Sequence, residues 1–278
     1  MEFKTEVKIT AQQLLQLENP FLLIGSCFSV NIGKKLSDLK MDTVMNPFGI
    51  VYQPEAIAYA LECIMAKRQY DTSDLIEHEG LYHSPNHHGS FSSHDPGQTL
   101  QNINLQIEKA LQQLLKPNLV LLITWGTAKG FKAKNTGKWV GNCHKIPSYS
   151  FDSFIETPED IVARYKEIFS QLLVLNPTLK IIFSISPVRH KRDGFVANQH
   201  SKSVLFVALH RLLKSDQFYY FPAYEIVMDE LRDYRFYDTD MLHPSELAVE
   251  YIWDKFKLQY FDSATQQAIC EIENLNKQ

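Results

Sequence analysis

Long apolar runs, paired cysteines and clustered basic residues are all missing from this chain, and each absence closes off a class of protein. No hydrophobic stretch approaches the ~20 residues needed to cross a bilayer, so no membrane span is expected. The four cysteines (Cys27, Cys63, Cys143 and Cys270) are widely scattered, with no C-x-x-C pair. That spacing argues against a disulfide framework. The opening "MEFKTEVKIT" lacks the basic-then-apolar pattern of a secretory leader. A cytoplasmic setting is therefore expected. The net charge is −4, with no basic stripe to override it, so no nucleic-acid partner is expected. Internal repeats and low-complexity linkers are also lacking.

What is there reads as an α/β protein. Hydrophobic residues make up 45% and charged residues 22% of the 278, enough for a sizeable core. Short apolar runs alternate with helical patterns. "FLLI" (21–24), bounded by Pro20 and Gly25, reads as a buried strand. Residues 118–126 and 179–187 read the same way, and 217–225 is a further strand. "MDTVMNPFGI" (41–50) is a short strand ending in a Pro/Gly turn. Helices are expected after residue 26, with Phe28, Ile32 and Leu36 on the apolar face, and over 54–68, 157–177 and 244–261. Thr157 is the expected cap of the third, and Leu247, Tyr251 and Phe256 are expected on the apolar face of the last. Such alternation predicts a mostly parallel five-stranded sheet with helices on both faces. Two polar, aromatic-rich segments, 69–102 and 127–156, break the rhythm and read as insertions in one domain spanning 1–278. In open sheets of this class, loops at the carboxyl ends of strands build the ligand site.

Ser26 stands at one such end, and it has two readings. Serine is a favoured helix N-cap, its hydroxyl accepting from first-turn amides. It is also a potential nucleophile, if a base lies elsewhere in the chain. "DTDMLHPSE" supplies one: Asp240, three residues before His243, can accept from the imidazole Nδ1–H and leave Nε2 facing a hydroxyl. A phosphate-binding loop is excluded because Gly25 and Gly33 are too far apart and Lys35 occupies the hydroxyl position. The G-x-S-x-G elbow is absent. Cys27, beside Ser26, is a rival nucleophile if its thiol ionises at the helix start.

"GSCFSVNIGKKL", "NPFGIVYQP", "WGTAKGF", "GNCHKIP", "SPVRHKRDGF" and "DMLHPSELAVEYIW" together resemble the GSCFA family, a branch of the SGNH (GDSL-like) hydrolases. The resemblance runs over almost the whole chain, with Ser29 where the family name has Ala. It implies a three-layer, flavodoxin-like α/β/α fold and a cofactor-free serine hydrolase. Ser26 would then be the nucleophile, His243 the general base and acid, and Asp240 its orienter. The oxyanion hole implied by the resemblance uses the amides of Ser26 and Gly49 plus an Asn side chain. At the usual Asn position this chain has Ala128, in Gly126-Thr127-Ala128. One missing oxyanion donor costs ~3 kcal/mol of barrier. Asn142 is the first substitute considered, with Asn46, Thr127 and His144 as further contacts.

Other segments keep two readings. Arg189 and His190, in "SPVRHKRDGF", either line the site or form a solvated turn. In "YHSPNHHGSFSSH", His83, His87, His88 and His94 suggest metal ligands, but Pro85 and Gly89 disfavour a helix and no Cys or Glu completes a zinc pattern. A substrate loop with His87 and His88 near the site is preferred. Trp125 and Trp139 are core or sugar-stacking residues. The expected activity is removal of an O-acyl group, acetyl first of all, from a carbohydrate-like or small alcohol. The alternatives are acyl transfer to a sugar hydroxyl and a glycan-binding protein on an SGNH scaffold. Oligomeric state is not legible.

Overall fold

The computed structural model describes residues 5–214 and 218–276. Its centre is a five-stranded parallel sheet made by β1 (Phe21–Gly25), β2 (Thr43–Met45), β5 (Val120–Trp125), β9 (Lys180–Ile185) and β10 (Phe218–Phe221), in the order β10-β9-β5-β1-β2. That is the doubly wound, flavodoxin-like order, the first sheet strand lying between the second and third. The register pairs Phe21 with Thr43 and with Val120, Ile123 with Phe183, and Phe218 with Ile181. β1 and β5 are buried at every residue, as strands covered on both faces must be.

Alternation along β1 assigns its side chains to two cores. Leu22 and Ile24 join Leu121, Ile123, Ile181 and Phe183 under α2 (Pro54–Met65), α3 (Pro96–Leu114), α4 (Pro158–Leu175) and α5 (Phe195–Leu212). Phe21 and Leu23 join Val120, Leu122 and Ile182 under α1 (Cys27–Asp38), α7 (Glu246–Tyr260) and α8 (Ser263–Leu275). The result is a three-layer α/β/α architecture. Phe28, Ile32 and Leu36 are buried on α1, and Thr157 caps α4 by accepting from the Asp160 amide. Among the described residues no helix is long and apolar enough to cross a membrane.

The insertions have structure of their own. The first holds the hairpin of β3 (Ile76–His78) and β4 (Leu81–His83) and gives way to α3 at Pro96, earlier than the expected boundary. The second folds as a three-stranded antiparallel sheet, β7 (Trp139–Val140), β6 (Lys129–Ala133) and β8 (Phe151–Ile155), in the order β7-β6-β8.

Other boundaries moved. The expected strand 217–225 begins at Phe218, Gln217 lying outside the described residues, and ends at Phe221. Pro222 has no amide to continue the ladder, and a helical turn α6 (Ala223–Glu225) runs into a wide-turn segment, Ile226–Glu230. The last core helix starts at Glu246 with Ser245 as its cap, and Leu247 is 57% exposed while Ile252, Trp253 and Phe256 are buried.

Candidate active site

β1 and β5 leave the sheet side by side and their chains diverge, which makes their carboxyl ends the topological switch point where open α/β sheets bind ligands. Gly25 ends β1 with φ +142°, and a Cβ there would sit 2.2 Å from the Thr124 carbonyl oxygen. Only glycine tolerates that approach. Ser26 follows in an extended conformation as the N-cap of α1, its Oγ accepting from the Phe28 amide at 3.3 Å. The capping reading of Ser26 is therefore geometrically real, and it also aims the positive end of a helix at the hydroxyl. Ser26 is 1% exposed.

Cys27 is the first residue of that helix. Burial pushes its thiol up, Asp240 adds to the rise, and Lys202 pulls the other way. A thiol held in that state is not ionised at neutral pH, which removes the support for a thiolate nucleophile.

Asp240 and His243 meet on a tight turn. His243 Nδ1 lies 2.5 Å from Asp240 Oδ2, while Asp240 Oδ1 accepts from the amides of Leu242 and His243, both at 2.9 Å. The His243 amide first, then its side chain and the Leu242 amide, hold the Asp240 carboxyl down to about 2. It stays ionised at neutral pH and fixes the imidazole with Nε2 outward. Both side chains are about half exposed, at 45% and 48%. The turn leads into α7, which packs in the same core as α1, so the pair lies on the α1 side of the sheet. Among the described residues His243 makes no hydrogen bond to Ser26; the structure builds the two halves of the expected triad and leaves them unjoined.

The expected oxyanion donors are otherwise engaged. The Ser26 amide donates to Thr124 O at 3.2 Å and the Gly49 amide to Asn46 O at 2.7 Å. Gly49 is required for another reason: its φ is +72° and a Cβ would lie 2.3 Å from the Cβ of His88. Asn46, in the left-handed region at φ 45°, accepts from the Gly25 amide through Oδ1 at 2.9 Å. Its Nδ2 is buried with no partner.

Asn142 lies elsewhere, which corrects its expected place. Its amide donates to Pro85 O, its Oδ1 accepts from the His144 amide at 2.9 Å, and it lines a cleft of about 690 Å³ between the two insertions with Arg68, Trp139 and Tyr149. Neither Ser26 nor His243 lines that cleft. The sequence clue to Asn46 is its place right after β2, in the loop that holds Gly49; Asn142 is near Ala128 only in number.

The remaining expected contacts divide by position. His88 packs on Gly49, and its amide donates to Phe48 O at 2.8 Å. His87 is fully buried, stacked on Phe48 with ring centres 4.1 Å apart, and burial pushes it down to about 3. It is a neutral packing group, not a substrate contact. His144 is also buried, bonded to Ser84 O at 2.7 Å and packed on His83. Thr127 Oγ1 is tied to Ser201 Oγ of α5 at 2.9 Å. His190 pairs with Asp193 at 2.7 Å. Arg189 donates to Asn198 Oδ1 at 2.6 Å and to Phe195 O at 2.9 Å. Trp125 is core, donating to the Tyr165 hydroxyl. Among the described residues no group of three or more His, Cys, Asp or Glu is placed to hold a metal.

Sheet order defines a doubly wound α/β protein with a serine at the switch point and an Asp–His turn. The chain belongs to the GSCFA family, whose model matches residues 20–256. Solved structures of similar fold include a Streptococcus pneumonia protein assigned provisionally as a platelet activating factor. It is 14% identical, with 86% of this chain and 83% of that chain covered and a TM-score of 0.44. A carbohydrate esterase family 3 protein from Talaromyces cellulolyticus is 6% identical, with 92% and 99% covered and a TM-score of 0.40. A mutant acetyl esterase holding an acetate ion is 8% identical, with the same coverage and a TM-score of 0.40. Comparison with curated proteins gave no match.

Proposed function

We propose that this protein is a serine esterase that removes an O-acyl group from a hydroxyl-bearing substrate. The observation that carries the reading is the Asp240–His243 turn, in which one carboxylate takes three hydrogen bonds and leaves His243 Nε2 outward, on the side of the sheet where Ser26 caps α1. His243 Nε2 takes the Ser26 Oγ proton as Oγ bonds to the ester carbonyl carbon. The tetrahedral oxyanion collapses, the C–O bond to the alcohol breaks, and His243 returns the proton to the departing oxygen. Water then repeats the sequence on the acyl-serine, releasing the acid and free Ser26. The Ser26–His243 hydrogen bond forms with substrate in place, as catalytic contacts in free enzymes often do. Asn46 Nδ2 is the oxyanion donor, taking the role that an Asn after the third sheet strand has in the SGNH pattern. Resemblance to SGNH hydrolases favours an acetyl group and a carbohydrate-like alcohol, with water as the acceptor.

A binding protein with little turnover is the second reading, favoured by the engaged amides of Ser26 and Gly49. Intact-mass spectrometry after fluorophosphonate treatment separates the two. One adduct on the wild type and on Cys27→Ala, absent from Ser26→Ala, is the expected result. No adduct on any of the three would sink the esterase; an adduct lost only from Cys27→Ala would make the thiol the nucleophile.

A further inference from the structure

Among the described residues, two cations near the site, Lys202 and Arg189, meet no carboxylate. Arg68, Lys129, Arg164 and Lys257 are all half-buried or nearly so, and each meets an acid: Asp74, Asp193, Glu55 with Glu62, and Glu273. Lys202 is 0% exposed, yet its Nζ donates to the Ser186 carbonyl at 2.5 Å and meets no acid among the described residues. Arg189, half-buried, spends Nε on the Asn198 carbonyl and one terminal nitrogen on Phe195 O. Asn198 is 1% exposed, and with its Oδ1 taken by Arg189 its Nδ2 is buried without a partner.

The cluster therefore holds donors in surplus and no anion. Ser186 and Arg189 continue β9 past its carboxyl end, and the Ser186 amide ties that segment to Trp125 O of β5 at 2.8 Å. Asn198 and Lys202 lie four residues apart on α5, one above the other on the same face. The charge of Lys202 acts on Cys27, next to Ser26, and that of Arg189 acts on Tyr237, three residues before Asp240. The cluster thus lies at the same end of the sheet as Ser26, on the segment that leaves β9 beside β5. An uncompensated buried charge is unfavourable, and an incoming anion is what offsets it. Burial and Arg189 together push the Lys202 ammonium down to about 7, the mark of a cation lacking its counter-charge.

We propose that Arg189, positioned by Asn198 and backed by Lys202, is a specificity site for an anionic oxygen group on the substrate, so that the esters processed here carry a carboxylate or phosphate. Arg189 makes the contact through its remaining N–H groups, since guanidinium matches such groups in a two-point fork. Lys202 acts behind it, through its field, as a positioning residue. The inference rests on the esterase reading for its substrate, but anion binding can be read without turnover.

Calorimetry on Ser26→Ala with succinate and with inorganic phosphate is the test, acetate being the control. Saturable binding of the first two is expected, weakened at least about tenfold by adding Arg189→Met, the loss of one charge-assisted contact. Lys202→Met, which keeps length and apolar volume, should weaken it too, and Arg189→Lys should restore part of it. No saturable binding, or binding indifferent to Arg189→Met in a variant whose melting transition shows it folded, would overturn the site. On the active protein, 4-nitrophenyl hemisuccinate carries the charge on the acyl side and acetylsalicylate on the alcohol side. A wild-type to Arg189→Met ratio of kcat/KM larger for one of them than for 4-nitrophenyl acetate tells which part of the ester bears the anion. Ester turnover with the same ratio for all three esters would refute the specificity role while leaving the esterase intact. Anion binding at Arg189 without fluorophosphonate labelling would do the reverse.

Discussion

Replacing Asn46 by Asp keeps the side-chain acceptor that the Gly25 amide uses and removes the Nδ2 donor that has no partner in the free protein. The carboxylate also tolerates the left-handed backbone at φ 45°. If Asn46 holds the oxyanion, Asn46→Asp lowers kcat by about 10²–10³ with KM little changed, and the carboxylate it buries also lowers the melting temperature. Steady-state kinetics on an activated acetate ester reads this directly. A variant that loses stability and leaves kcat alone would make Asn46 a structural clamp on Gly25. Asn142→Asp, by contrast, should leave kcat untouched, since Asn142 sits on the cleft between the insertions.

At the scale of elements, the join between β1, β5 and α1 is where sequence and geometry are tightest. Gly25 faces the Thr124 carbonyl so closely that a methyl group would lie 2.2 Å from its oxygen. Gly25→Ala must push β1 from β5 or rotate the peptide that positions Ser26. The expected cost is ~3 kcal/mol or more, read as a lower urea midpoint with an unchanged m-value. An alanine variant as stable as the wild type would show that the strands part easily here. α5 shows the opposite relation. Its apolar residues Phe195, Val196 and Val207 are exposed while Asn198, Ser201 and Lys202 are buried, so its helical stripe is blurred and the helix was not legible. What inverts the pattern is the polar cluster beside the candidate site.

Over the whole molecule, stability should depend on pH through groups buried away from Ser26. His87 is pushed down to about 3 and His144 to about 4, both mainly by burial. The unfolded chain, with ordinary histidines near ~6.5, takes up those protons first. Their contribution is full above ~6.5 and lost as pH falls toward the folded values. Glu156 is pushed up to about 8 by burial, with Glu55 adding to it, and its Oε1 has no partner. There the unfolded chain loses its proton first, so that contribution is full below ~4.5 and lost as pH rises to 8. Lys202 opposes it above about 7, gaining stability as its unfolded counterpart keeps its proton longer. Melting temperatures of variants relative to wild type isolate each group. The Glu156→Gln difference should grow in favour of the variant from pH 5 to 8, and that of His87→Phe as pH falls from 6.5 to 4. Flat differences would assign the pH dependence to other groups.

The sheet was readable because its strands are apolar runs flanked by Pro and Gly, and parallel burial leaves them nothing else to be. Ser26 before a helical stripe and Asp240 three residues before His243 were readable because caps and tight turns are local. The sequence by itself thus determined the five sheet strands, four of the helices, the capping serine and the Asp–His turn. Which donors are free was decided by the tertiary structure alone. The Gly49 amide is spent on Asn46 O, Asn142 is held at Pro85, and His87 is packed on Phe48, none of which spacing along the chain can show. A hydrogen bond between residues far apart in sequence depends on where two strands end in space. So does a charge such as Lys202, which meets no acid among the described residues, a fact visible only when every element packed around it is in place.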